Sequence, residues 1–313
     1  MSFENRREFL GIYVVENANP NGDPLRDNEP RMDDLTSRLL VSDVRIKRTI
    51  RDQWEREGRN VFIKIYDSGN AKTLEQRYAE LIGKDKVEKS DAKRAPHILS
   101  EKCIDVRLFG VTFALKGESF SWTGPVQISW GISMHRVKPE MVQGTAAFAS
   151  GQNSGQRSIR TEWRVPFAMI SFYGVANQYA ATTTGATDED IDLLRRAWWL
   201  GTKNLITRSK LGHHPLLWLE IVYKKEYIGL IGNLMPYVKL LGKDDSQITE
   251  EEGLSLRDYR SVKLDFSLLV EKLRGYREHI EKVILIKDEE LKVEGLQDIE
   301  DLLERISPLE LER

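Results

Sequence analysis

Cysteine is nearly missing from this chain. Cys103 stands alone among 313 residues, so no intramolecular disulfide can form and a reducing compartment, the cytoplasm, is expected. No apolar run reaches about 18 residues, so no membrane-spanning helix is expected. Residues 1–8 are charged and lack the apolar core of a signal peptide. Histidine is scarce as well. His97, His135, His213, His214 and His279 show no zinc-ligand spacing with the cysteine. Catalytic signatures are also missing: no Gly-x-x-x-x-Gly-Lys phosphate loop, no Gly-x-Gly-x-x-Gly after a strand, no Gly-x-Ser-x-Gly elbow and no His-Glu-x-x-His. A Cys103–histidine nucleophile pair stays open, although a lone cysteine is more often a small core residue. No metal, cofactor or catalytic residue is expected.

Hydrophobic residues make up 40% of the chain and charged residues 31%, enough for a sizeable core. The net charge of −2 argues poorly for a nucleic-acid binder, but its distribution differs. Residues 244–313 hold 20 acidic and 11 basic side chains, against 29 acidic and 36 basic in the 243 residues before them. A basic working face with an acidic region turned elsewhere fits that split. A solvated helical surface explains the acidic segment equally well.

Residues 9–16 (FLGIYVVE) read as a buried strand. Residues 17–34 are dense in Pro, Gly, Asn and Asp and read as turns. A helix is expected from Ser42 to about Glu57, with Ile46, Ile50 and Trp54 as its core stripe. Residues 61–66 read as a strand, 74–82 as a helix, and 84–94 as a charged stretch; 60–100 is taken as an insertion. Residues 105–110 read as a turn, and 127–136 and 165–175 as strands. Between those two strands, residues 138–164 form a long polar excursion. An amphipathic helix over 188–207, a strand over 215–223, a charged linker over 242–253, a helix over 267–282, a strand over 283–286 and a helix over 296–306 complete the chain. The fold class expected is α+β, with an RRM-like (ferredoxin-like) sheet core carrying two insertions and an acidic, helical part over 244–313.

Three constellations suit a phosphate chain. At the first helix N-terminus, Ser42 offers a cap hydroxyl, and Arg45, Lys47 and Arg48 follow within two turns. A solvated basic helix face is the alternative. Within the polar excursion, Gln152, Gln156, Arg157, Arg160 and Arg164 offer charge, stacking planes and amides. Phe148 and Met141 are suited to wedge between bases. A bare surface loop is the alternative. Third, Thr207-Arg208-Ser209-Lys210-Leu211-Gly212 is basic and turn-like, though cations at a helix C-terminus account for it as well. Asp23, Asp27, Asp33 and Asp34 are potential metal ligands or turn-forming residues.

In order along the chain, Asn19-Pro20-Asn21-Gly22-Asp23-Pro24, Asn28-Glu29-Pro30-Arg31, Ser42 through Arg48, Arg107-Leu108-Phe109-Gly110 and Thr123-Gly124-Pro125-Val126-Gln127 resemble the CRISPR Cascade backbone subunits of the type I-B and I-C branches. The resemblance spans about residues 8–225. It implies an RRM-like palm, helical fingers at 60–100 and a protruding thumb hairpin at 138–164. It implies subunits that polymerise as a helical filament along the crRNA spacer. Each thumb displaces one nucleotide in six and leaves five to pair with target DNA. The implied RNA-binding set is Asn21, Arg31, Ser42, Arg45, Lys47, Arg48, Gln127, Gln156, Arg157, Arg160, Arg164, Arg208 and Lys210. The implied partners are crRNA, target DNA, further copies of the chain, the large and small Cascade subunits, the subunit holding the crRNA 5′ handle and the crRNA-processing endonuclease. Related type III backbone subunits cut RNA with a loop aspartate, so a metal-dependent ribonuclease using Asp23 is the alternative function.

Overall fold

The computed structural model describes residues 1–66, 72–145 and 159–312. Its centre is the strand Arg7–Ala18. Alternate side chains of this strand enter different cores: Leu10, Ile12 and Val14 face one, and Phe9, Tyr13 and Val15 face the other. Burial on both sides explains why the run is apolar without a polar alternation. Arg7–Ala18 pairs antiparallel with Ile159–Ala176 on one side and His213–Tyr223 on the other. Outward from these lie Ile280–Lys287 and Leu303–Arg305 at one end, and Gly131–Ser133, Arg38–Val41 and Met32–Asp33 at the other. Val126–Ile128 and Glu140–Thr145 also pair with the long strand Ile159–Ala176, so ten strands form one sheet among the described residues.

The helices Asp43–Arg56 and Asp188–Lys203 cover the first face. Ile46, Ile50 and Trp54 are buried as the stripe predicts, and Trp54 Nε1 donates to Leu193 O at 3.2 Å, tying the two helices together. A buried charge network locks the sheet to this layer. Glu220 accepts from Arg7 Nη1 at 2.8 Å, Arg195 Nε at 3.0 Å and Trp218 Nε1 at 3.0 Å. Burial alone would raise its pKa, but Arg195 and Arg7 hold it at about 2.

The second face is covered by the C-terminal region, where Leu240, Tyr259, Leu264, Phe266, Leu269 and Leu273 pack. This segment is mixed rather than helical. Residues expected as a helix over 296–306 form a 3-10 turn, Gln297–Leu302, followed by the strand Leu303–Arg305. The helix begun at Ser267 stops at Tyr276, because the apolar run that follows joins the main sheet as Ile280–Lys287. A three-stranded sheet, Lys239–Leu241, Lys263–Asp265 and Lys292–Glu294, lies beside it.

A third cluster, from Phe62 through Tyr78, Leu99 and Phe113 to Leu115, belongs to the insertion. Leu74–Ile82 is helical as expected, and Lys89–Lys102 adds a second helix. Residues 61–66 are not a strand. Two of their N–H groups are taken by Asp105, whose Oδ1 accepts from Phe62 N at 2.7 Å and Oδ2 from Ile63 N at 3.1 Å. Residues 105–110 are not a turn: Ile104–Phe109 is a short helix leading into the hairpin Gly110–Leu115 and Glu118–Thr123. The expected strand over 127–136 is two short strands. Among the described residues no helix is long and apolar enough to cross a membrane.

Candidate nucleic-acid interface

Ser42 starts the first helix in extended geometry, and its Oγ accepts from Arg45 N at 3.4 Å. Asn21 fixes this cap. Its Oδ1 accepts from the Ser42 N–H at 2.8 Å and the Ser42 hydroxyl at 2.9 Å. The Asn21 carbonyl accepts from Arg31 N at 3.1 Å. The Pro/Gly-rich segment thus becomes a shaped loop against the helix N-terminus, where free N–H groups and the helix dipole favour an anion.

A second loop closes on it. Asn19 N donates to Ser209 O at 2.9 Å, and Glu16 N donates to Gly212 O at 2.9 Å. Gly212 has φ +108, and a Cβ there would lie 2.2 Å from Glu16 O, so the approach needs glycine. Lys210 Nζ donates to the carbonyls of Asn19 and, at 2.9 Å, of Pro20. No carboxylate within the described residues pairs with it. Burial, with the Arg45 charge nearby, brings its pKa down to about 7. Arg45 donates to Thr49 Oγ1 at 3.2 Å and also lacks a carboxylate partner; burial pushes its pKa down. Burial and the Lys210 charge lower His213 to about 3, so it stays neutral beside them. Arg45 and Lys210 therefore form a cationic pair that no carboxylate contacts among the described residues, although the Asp52 charge acts on Arg45, at the helix end that already favours anions.

The other two cations of the helix are differently placed. Lys47 is 9% exposed, pairs with Asp43 Oδ2 at 3.3 Å and lies 5.5 Å over the Phe109 ring. Arg48 is bound to Asp52, to Glu55 Oε1 at 2.8 Å and to Ile63 O at 3.1 Å. Both are engaged in ion pairs. Arg31 holds Asp23 through two contacts, at 3.1 and 3.4 Å, while Asp23 Oδ1 accepts from Leu25 N at 3.0 Å. Asp23 is thereby a turn residue clamped by a guanidinium. Among the described residues no group of three or more His, Cys, Asp or Glu is arranged to hold a metal ion. Cys103 is buried, and burial together with Asp105 pushes its thiol up to about 12, far from a nucleophilic thiolate.

From this centre the long strand leads outward. Glu140–Thr145 and Ile159–Arg164 form an antiparallel ladder, with Glu140 opposite Arg164 and Gly144 opposite Arg160. Arg164 pairs with Glu140 at 3.4 Å, and Arg208 with Glu162, which ties the ladder to the 207–212 loop. Gln152, Gln156, Arg157 and Phe148 lie outside the described residues. Gln127 is not brought to this site. It sits opposite Val175 and donates to Gly124 O at 3.0 Å. That is eleven residues along the strand from Arg164, about 35 Å away.

The remaining motif residues serve packing. Arg107 grips Asp190 at 2.7 and 3.0 Å. A Cβ on Gly124 would lie 2.2 Å from Gly110 N, so these two glycines permit backbone contact. Sequence reasoning missed Trp163, which lines a cavity of about 470 Å³ between Asn17, Asn28, Arg164 and Arg208. Its signal was an aromatic residue set among Arg160 and Arg164.

The family model for CRISPR-associated protein Cas7 matches residues 5–265. A protein from Haloferax volcanii described as CRISPR-associated protein Cas7 is 28% identical over 318 residues, covering 94% of this chain and 90% of its own. A solved chain described as belonging to a CRISPR RNA-guided surveillance complex, pre-nicking, superposes with a TM-score of 0.57 at 16% identity, covering 98% of both chains. Another, described as a CRISPR RNA-guided surveillance complex, superposes at 0.55 and 16% identity, covering 98% of this chain and 97% of that one. The match over most of its length makes this chain a member of the CRISPR-associated protein Cas7 family.

Proposed function

We propose that the chain is the crRNA-binding backbone subunit of a type I Cascade surveillance complex. Copies line up along the spacer, hold its sugar–phosphate backbone and leave base edges open to target DNA. The observation that carries this reading is the Arg45–Lys210 pair, two cations at the Asn21–Ser42 helix end that no carboxylate contacts among the described residues. Phosphates supply the missing counter-charge without reading sequence. Arg31 and Asn21 shape that groove, and Arg164 and Arg208 extend it toward the ladder. Lys47 and Arg48 support the helix and reach phosphate only by exchanging partners.

The palm is the four-strand set His213–Tyr223, Arg7–Ala18, Ile159–Ala176 and Gly131–Ser133. Its support is the antiparallel order with the helices Asp43–Arg56 and Asp188–Lys203 on one face, the RRM-like pattern. The fingers are residues 60–100, whose packing continues to Phe120; the thumb is 138–164, and the Glu140–Thr145 ladder with the start of the long strand is its described part. Neighbouring copies, the large and small subunits, the 5′-handle subunit and the processing endonuclease are the protein partners. The subunit holds RNA and does not cut it, because Asp23 is spent on Arg31 and on its own turn.

The test is the salt dependence of single-stranded RNA binding. Arg45→Ala with Lys210→Met lowers affinity for every sequence and reduces the slope of log K against log salt by about 0.7 per lost contact. An unchanged slope contradicts the assignment.

A further inference from the structure

Lys210 is held as a reactive amine is held. Its loop is fixed, with Lys210 N donating to Thr207 O at 3.0 Å and His213 Nδ1 bonded to the Lys210 carbonyl. The side chain is partly exposed. Its Nζ donates to two backbone carbonyls, those of Asn19 and Pro20, and among the described residues to nothing else. Two acceptors match the two N–H bonds of a neutral amine. The third proton of an ammonium finds no acceptor there, and in the neutral form the nitrogen lone pair is left unused.

The surrounding charges favour the same form. Arg45, on the first helix, bears on Lys210 with a like charge. His213, on the following strand, stays neutral, and burial keeps Tyr13, stacked on His213, protonated. Other lysines are fixed as ammonium by carboxylates: Lys203 by Glu312, Lys263 by Asp245 and Glu294, Lys282 by Glu304. An amine with a free lone pair is a nucleophile. Arg45 says what kind of group it would attack, one whose leaving group carries negative charge. A guanidinium beside the amine stabilises a departing phosphate as its bond breaks.

We propose that Lys210 is an acylation site whose donors are acyl phosphates. The amine attacks the acyl carbon and an N–C bond forms. The C–O bond to phosphate breaks, its electron pair stays on phosphate, and the amine proton passes to that phosphate. The products are an N-acyl-lysine and inorganic phosphate. Acylation removes one cation of the Arg45–Lys210 pair. It therefore lowers RNA affinity, a consequence that rests on the RNA-holding function above.

The test incubates the full-length protein with acetyl phosphate and reads acetylation at each lysine by mass spectrometry, with the exposed Lys243 as internal reference. At pH 7 about half of Lys210 is free base, against on the order of one in a thousand of an ordinary lysine, so Lys210 reacts at least about tenfold faster than Lys243. Its rate levels off above about pH 8, whereas that of Lys243 still rises toward about pH 10. Arg45→Met slows the reaction at Lys210 and leaves Lys243 as it was. Saturating single-stranded RNA blocks acetylation at Lys210 but not at Lys243, and the acetylated protein binds RNA more weakly. Reaction at Lys210 no faster than at Lys243, or a rate that does not level off, overturns the acylation site and leaves the RNA-holding function intact. Selective acetylation that RNA does not block, and that leaves RNA affinity unchanged, overturns the placement of phosphate at Lys210 and keeps the acylation site.

Discussion

Lys210 is the residue whose state most depends on what is bound. An unfolded lysine keeps its proton to about pH 10.4, whereas this one gives it up near 7. Between those values the unfolded chain binds more protons, so this lysine's contribution to stability rises with pH. A phosphate beside Lys210 restores the charged form. RNA binding then takes up a proton above pH 7, and affinity falls as pH rises from 7 to 9. Lys210→Met flattens that slope; a slope unchanged in the variant contradicts the placement of phosphate at this side chain. Glu220 behaves in the opposite sense. Its pKa of about 2 lies below the usual carboxylate range, so its stabilising contribution is complete above about pH 4.5 and is lost as pH falls toward 2. Glu220→Gln removes the buried carboxylate that Arg7 and Arg195 share, leaving them only Asp188 and Asp192, and costs about 3 kcal/mol, measured by urea unfolding at pH 7.

At the scale of elements, the first helix separates holding from folding. Lys47→Ala with Arg48→Ala removes ion pairs to Asp43, Asp52 and Glu55 and lowers stability by about 1–2 kcal/mol. Arg45→Ala with Lys210→Met removes two like charges and leaves the melting temperature unchanged or raised. Thermal melts of the two pairs compared with their RNA affinities check this; equal loss of stability in both contradicts it. The first helix was legible because its cap, stripe and charges are all local. The central strand was legible because it is apolar throughout. The strand expected at 61–66 was not one, since Phe62 joins the insertion core, Val61 joins the first core, and the Phe62 and Ile63 N–H groups are bound by Asp105, 43 and 42 residues later. Residues 296–306 have helical spacing, yet Leu303–Arg305 pairs with Ile280–Lys287, a long-range choice that periodicity does not record. In the site, Asn21, Ser42, Arg45 and Lys210 were identifiable from residue type. Lys47 and Arg48 are paired within their own helix, to Asp43 and Asp52 at i,i+4 spacing, whereas the distance of Gln127 depends on strand pairing. Among the described residues the ladder runs as far as Thr145 and Ile159. Replacing residues 146–158 by a two-residue Asn-Gly turn leaves the melting temperature unchanged and disturbs the nuclease footprint on RNA; failure to fold contradicts the thumb assignment.

For the whole molecule, the helix that carries Arg45 packs on one face of the sheet, and most of the acidic C-terminal region packs on the other, with only its end, at Ile306 and Leu311, returning to the first. Many carboxylates of that region are matched locally, as in Lys282–Glu304 and Arg305–Glu300. A net charge of only −2, with the cations Arg45 and Lys210 gathered at one helix end, suits the proposed subunit that also faces copies of itself. The most direct measurement of the central claim is the mass of complexes assembled on single-stranded RNAs of increasing length. The backbone-subunit account predicts a regular ladder, with one further copy bound for each fixed increment of about six nucleotides, independent of RNA sequence. One or two copies per RNA, whatever its length, would contradict it.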